Sequence, residues 1–128
     1  MLSQTGIYAI RAMGYVAMKN DEKPILARTI AKEMQIPVNF LSKILNRLVQ
    51  AGLIQSIRGR NGGFVMTRPP SEIRIREIID LFMQIDDYKH CFLGFKECDG
   101  LCGLHHRWSN ITEQFEMMID EITVDKIF

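Results

Sequence analysis

Residues 37–68, PVNFLSKILNRLVQAGLIQSIRGRNGGFVMTR, constrain this chain more than any other stretch. Phe40, Leu41, Ile44, Leu45, Leu48 and Val49 recur at i, i+1, i+4 and i+5, which is one face of a 3.6-residue period. The opposite face carries Asn39, Ser42, Lys43, Asn46, Arg47 and Gln50. Pro37 suits the first helical turn, and Gly52 suits the position just past the end. Residues 53–58 are rich enough in branched side chains to form a strand, and 64–67 can return beside it. Between them Asn61 and Gly62 are expected to supply the φ > 0 residues of a tight hairpin turn.

Taken singly, a polar-faced helix is ordinarily a solvated surface helix, and a Gly-rich hairpin is ordinarily just a turn. Their order says more. Residues 25–34 form a second short helix with Ile30 and Met34 on one side, a few residues before Asn39, which is the spacing of a helix-turn-helix. The combination predicts a recognition helix followed by a wing, with double-stranded DNA as partner. Asn39 and Ser42 lie at the base-reading end. Lys43 and Arg47 reach DNA from the outer face, and Arg58, Arg60 and Asn61 reach it from the wing.

Charge agrees with that placement. Residues 1–76 hold twelve Lys+Arg against four Asp+Glu, and residues 77–128 hold four against eleven, so +8 and −7 hide inside a net charge of +1. A basic half that coincides with the helix-turn-helix and wing is the footprint of phosphate binding. The length, 128 residues, is one domain's worth of chain with a possible appendage. No run approaches the roughly 18 apolar residues of a membrane span. The opening residues lack a basic start followed by an apolar run, and Arg11 interrupts the nearest candidate, so the expected location is cytoplasmic.

Along the rest of the chain, residues 3–18 read as a helix with Ser3 as N-cap, ended by the polar turn 20–24. Pro69 and Pro70 stop the second wing strand. Ile75, Ile78, Ile79 and Phe82 form the buried stripe of another helix. Residues 84–103 have no period and read as a shaped loop. A last helix over 106–123 carries Trp108, Ile111, Phe115, Met118 and Ile122 at alternating threes and fours, the seam spacing of a coiled coil. Such a stripe predicts a homodimer, although the same pattern would serve a helix packed on its own domain. The expected fold is mainly α, a winged helix-turn-helix with a two-stranded wing and a C-terminal dimerisation helix. It divides into a DNA-binding domain (1–84), a Cys/His loop (85–105) and the dimerisation helix with its tail (106–128).

All three cysteines fall in that loop: Cys91, Cys98 and Cys102, spaced C-x₆-C-x₃-C-x₂-H-H. Clustered Cys and His in an intracellular chain more often mean metal than disulfide. Three thiols in a Gly-rich polar loop are poorly placed to be core residues. Cys₃His fits tetrahedral zinc and fits an iron–sulfur cluster equally well, because imidazole can replace one thiolate on iron. His105 and His106 are adjacent and point differently, so only one can easily be a ligand. His90 is a further candidate, though a solvated loop histidine is the plainer account of it.

With these residues in hand, the chain resembles the Rrf2 family of winged-helix transcription regulators, which includes the iron–sulfur regulators IscR and NsrR. The similarity runs over LSQTGIYAIRAM, IPVNFLSKIL, GLIQSIRGRNGGFVM, the three cysteines and CGLHHRW. It implies a dimer on partly palindromic DNA. It also implies a cluster, 2Fe–2S in preference to 4Fe–4S, with Cys91, Cys98 and Cys102 as thiolates and His105 as the matching histidine ligand. Three departures stand out. The Cys98–Cys102 gap is short, Ile7 occupies the place of an N-terminal carboxylate ligand, and Gln35 stands where a turn glycine is usual. Two rivals remain open: a winged-helix regulator with structural zinc or redox-reactive free thiols, and a small iron–sulfur electron carrier or enzyme. No nucleotide motif or acid–base pair accompanies the loop, so the expectation is a regulator and not an enzyme.

Overall fold

The computed structural model describes residues 2–20, 23–84 and 89–128. The expected polar turn at 20–24 and the loop at 84–103 therefore lie partly outside the described residues. Ser3 caps the first helix as its chemistry demands: its hydroxyl oxygen accepts the Gly6 N–H at 3.1 Å. Helix α1 (Gln4–Met18) then buries Ala9, Ala12, Met13, Tyr15 and Val16, which explains why its apolar residues spread around much of the circumference. It packs on α2 (Ala27–Met34), on α3 (Val38–Gln50) and on α4 (Ile75–Ile79). One core joins these elements through Ile30, Leu41, Ile44, Leu45, Leu48, Ile54, Ile73 and Ile78.

The turn between α2 and α3 rests on Gln35, which has φ 55° and is the one non-glycine residue with positive φ among the described residues. As the C-cap of α2 it donates its N–H to the Ala31 carbonyl. A left-handed cap normally selects glycine, because Cβ crowds the following carbonyl. The turn is thus made by a residue that resists it.

Strands β1 (Ile54–Ile57) and β2 (Gly63–Met66) pair antiparallel, with Ile54 opposite Met66 and Ile57 opposite Gly63. The expected tight turn at Asn61 and Gly62 is not made. Residues 58–62 separate the paired Ile57 and Gly63, and the positive φ angles belong to Gly59 (108°) and Gly63 (148°). Gly62 is required for a different reason: a Cβ there would come within 2.2 Å of the Ile57 carbonyl oxygen. Phe64 also exchanges both backbone hydrogen bonds with Ile25, at 2.8 and 3.1 Å, so the wing is anchored to the entry of α2.

The last helix, α5 (His105–Glu121), starts one residue before and ends two residues before the expected bounds. It stops because the chain that follows pairs with the chain before α4. Ile75 donates to the Ile122 carbonyl at 3.0 Å, and Val124 donates to the Ile73 carbonyl at 2.8 Å. Val124 is then buried in the main core. No helix among the described residues is long and apolar enough to cross a membrane.

Candidate functional site

The candidate DNA-facing surface lies on α3. Burial of Leu41, Ile44, Leu45 and Leu48 fixes its rotation and leaves Asn39, Ser42, Lys43, Asn46 and Arg47 exposed. The Ser42 hydroxyl donates to the Val38 carbonyl at 3.1 Å, so its oxygen stays free to accept. Arg47 borders a groove whose far side is Asp80, Leu81 and Gln84, which places it toward the end of α4. Arg58, Arg60 and Asn61 are all exposed in the wing loop. Phe40 departs from the expected buried face: it is 51% exposed, and Val38 is 58% exposed. The periodicity placed Phe40 beside Leu41, but Phe40 lies about 100° round the helix from the fully buried Leu41, at the edge of the core-facing arc, and it meets the Tyr8 ring at 6.3 Å.

The cysteine site forms against the start of α5. Cys91, Cys98, Cys102 and His105 line one cavity of about 130 Å³, with Trp108 and Phe92 on its wall. The Cys98 Sγ lies 3.3 Å from His105 Nδ1. Trp108 ties the loop down, donating its indole N–H to the His90 carbonyl at 2.9 Å and meeting the Phe92 ring edge-on at 5.3 Å. The reversal that accommodates the short Cys98–Cys102 gap is an Asx turn, in which the Asp99 carboxylate accepts the Leu101 N–H at 2.9 Å. His106 is exposed on the first turn of α5 and His90 is exposed in the loop; neither enters the Cys98–His105 contact.

The thiols differ in character. Backbone N–H groups of Phe95 and Leu93 point at Cys91 and hold its thiol below the usual range, with Cys98 adding to the effect. For Cys98 the Gly100 N–H favours the thiolate, but desolvation and the neighbouring Cys91 outweigh it and raise the thiol. Three thiols and an imidazole on one cavity are a donor set suited to iron or zinc. Among the described residues, however, no three His, Cys, Asp or Glu side chains converge on a single ion-sized point.

An ion chain that spacing alone did not reveal joins this loop to the rest. Lys89 Nζ lies 2.6 Å from the Glu116 carboxylate on α5, and Glu116 lies 3.7 Å from Arg76 on α4. Arg76 also forms a two-pronged contact with the Asp120 carboxylate. The acidic excess after residue 77 was visible in the sequence, but the partners of its members were not. Of the five residues in the α5 stripe, Ile111, Met118 and Ile122 are exposed. Trp108 and Phe115 are half-buried, Phe115 against Ile75, Ile79 and Ile119.

A helix-turn-helix with a polar, cation-bearing second helix, followed by an anchored two-stranded wing, defines a winged-helix DNA-binding protein. The chain belongs to the Rrf2 family, described as an iron-dependent transcriptional regulator, which it matches over residues 2–128. It is 32% identical over 128 residues to an HTH-type transcriptional regulator of Aquifex aeolicus, covering 97% of this chain and 88% of that one. Among solved structures it is similar to CymR, the global cysteine regulator of B. subtilis. That match has a TM-score of 0.83 and 24% identity, over 99% of this chain and 95% of CymR. It is also similar to T. potens IscR, with a TM-score of 0.74 and 26% identity, over 97% of this chain and 82% of that one. The protein is a DNA-binding transcription regulator, in a family of regulators and not of enzymes.

Proposed function

We propose that Cys91, Cys98, Cys102 and His105 hold an iron–sulfur cluster, and that its presence sets the affinity of a homodimer for a partly palindromic duplex. The observation that carries this reading is the single cavity of about 130 Å³ lined by all four donors, with Cys98 and His105 already in contact. An imidazole beside three thiolates favours 2Fe–2S over 4Fe–4S. A cluster so held supplies a centre sensitive to oxidation and to iron supply. His105, as the one imidazole among thiolates, tunes that centre's potential and lability.

The chain's own residues provide the route to DNA. Lys89, at the loop's stem, is tied through Glu116 and Arg76 to α4, and the exposed Ile111, Met118 and Ile122 give α5 a face for a second copy. Two recognition helices must meet half-sites about one DNA turn apart, so a small shift of α5 changes whether both can dock. Asn39 and Ser42 address base edges, Lys43 and Arg47 take phosphates, and Arg58, Arg60 and Asn61 follow the minor groove, where narrowing concentrates negative potential.

A second reading has one observation in its favour. The Cys91 thiol, held below its usual range by backbone N–H groups, suits a cofactor-free thiol switch. A visible spectrum with iron and sulfide analysis, on protein made and handled without oxygen, separates the two. The cluster reading expects a coloured protein, His105→Ala with a shifted spectrum, and His106→Ala with none. Colourless protein would leave zinc or free thiols.

A further inference from the structure

We infer that Val38 and Phe40, at the first turn of α3, are sequence-determining contacts that read thymine methyl groups in the major groove. The inference rests on the reading of α3 as the recognition helix and adds to it a chemical class of base contact. Val38 is 58% exposed and Phe40 51% exposed, and the remaining apolar residues of α3 are buried or half-buried. At about 100° per residue these two flank Asn39 on either side, so the first turn presents apolar, amide and apolar groups in succession. A large apolar side chain left in water at the leading end of a helix forgoes the burial that stabilises its neighbours.

The surroundings select the occupant. This end of the helix belongs to the basic half of the chain, with twelve Lys+Arg against four Asp+Glu over residues 1–76. Lys43 is exposed one turn along, and Arg11 stacks its guanidinium 5.6 Å from the Tyr8 ring. A polyanion complements such a frame, whereas an apolar protein surface does not. Within the major groove the thymine 5-methyl is the apolar feature that a base edge offers, and contacts to it from apolar side chains are an established mode of direct readout. Phe40 is also held ready. Tyr8 backs its ring at 6.3 Å with an interplanar angle of 54°, and Arg11 in turn anchors to the Met34 carbonyl at 3.4 Å. A ring positioned before binding loses less freedom on contact.

The test uses the 128-residue chain purified without oxygen. Duplexes are first enriched from a random pool, and the preferred sequence is then resynthesised with deoxyuridine replacing one thymidine at a time. This removes a methyl and leaves pairing intact. At one or more positions per half-site the substitution is expected to weaken binding about fourfold, the value of one buried methyl-sized group. Phe40→Ala should bind the thymidine and deoxyuridine duplexes alike at one such position, and Val38→Ala at another. Because the comparison is made within each variant, any general loss of stability cancels. If every deoxyuridine duplex binds the parent within about twofold, or if both variants keep the parent's sensitivity, the methyl contact is overturned while DNA reading by α3 stands. If no duplex is enriched, the recognition role of α3 fails and this inference fails with it.

Discussion

The reading head and the cysteine loop are built on opposite principles. In α3 four of thirteen residues are buried against one core, and the wing is stitched to α2 through Ile25 and Phe64. In residues 89–104 every residue except Cys91 and Cys102 is exposed, including Phe95 at 65% and Leu101 at 85%. The head is held by packing. The loop is held by a few specific ties: Trp108 to His90, Phe92 against Trp108, and Lys89 to Glu116. Segments with few buried apolar contacts open at lower free energy than core elements, so the loop can respond to its chemistry without unfolding the head.

The largest expected effect separates the two regions directly. Cys98→Ala should abolish the coloured cofactor yet leave the thermal midpoint within about 2 °C of the cofactor-free parent, since Cys98 is exposed. Leu45→Ala should do the reverse, destabilising the fold by about 2–5 kcal/mol because Leu45 is fully packed. Visible absorption and calorimetry on both proteins check this. If Cys98→Ala melted like Leu45→Ala, the loop would be part of the core after all.

Next in size is Arg58→Ala, expected to weaken specific binding by about 1–3 kcal/mol with no change in the cofactor spectrum. Fluorescence anisotropy with the enriched duplex reads the affinity, and a spectral change would tie the wing to the loop more closely than the structure does. Smaller again is Gln35→Gly. Relieving the left-handed cap at φ 55° should stabilise the head by about 0.5–1 kcal/mol in urea unfolding. A destabilised variant would mean that the Gln35 side chain contributes more than its backbone strain removes.

The smallest effect concerns acid. Hydrogen bonding from Arg76 holds the Asp120 carboxyl below the usual range, outweighing desolvation. A depressed folded value means that the α4–α5 tie is intact above the ordinary carboxylate range and is lost as pH falls through the folded value. Unfolding curves taken from about pH 6 down to about pH 2 should carry a step that Asp120→Asn lacks. An identical acid limb in the two proteins would remove this tie from the account.

What could be read from the sequence follows the same division. Elements whose side chains face a core repeat with the period of that core, so α1, α3 and the wing strands were legible to within a residue or two, whereas the expected α4 stripe overran the helix, which ends at Ile79, three residues before the half-buried Phe82. Ser3 as cap and Gly52 as terminator were legible from local chemistry. Phe40 was misassigned because it sits about 100° round from Leu41, at the edge of the apolar arc, where periodicity does not tell a core-facing side chain from a solvent-facing one. The hairpin was mistaken because Asn-Gly suggests a two-residue turn, whereas the two further glycines, Gly59 and Gly63, take the positive φ angles and the loop spans residues 58–62. In the loop, residue identity exposed the donors. The Cys98–His105 contact and the Lys89–Glu116 tie depend on a backbone path that no period encodes.

The proposed coupling joins a cofactor held by the loop to the head's grip on DNA. The direct measurement is an anaerobic titration of the enriched, fluorescently labelled duplex with one preparation before and after the cofactor is lost to air, with Cys98→Ala alongside. The account predicts that the air-treated protein and Cys98→Ala share one affinity, differing from the intact protein by about tenfold or more. Equal affinity in all three, with the cofactor verified by its spectrum, would contradict it.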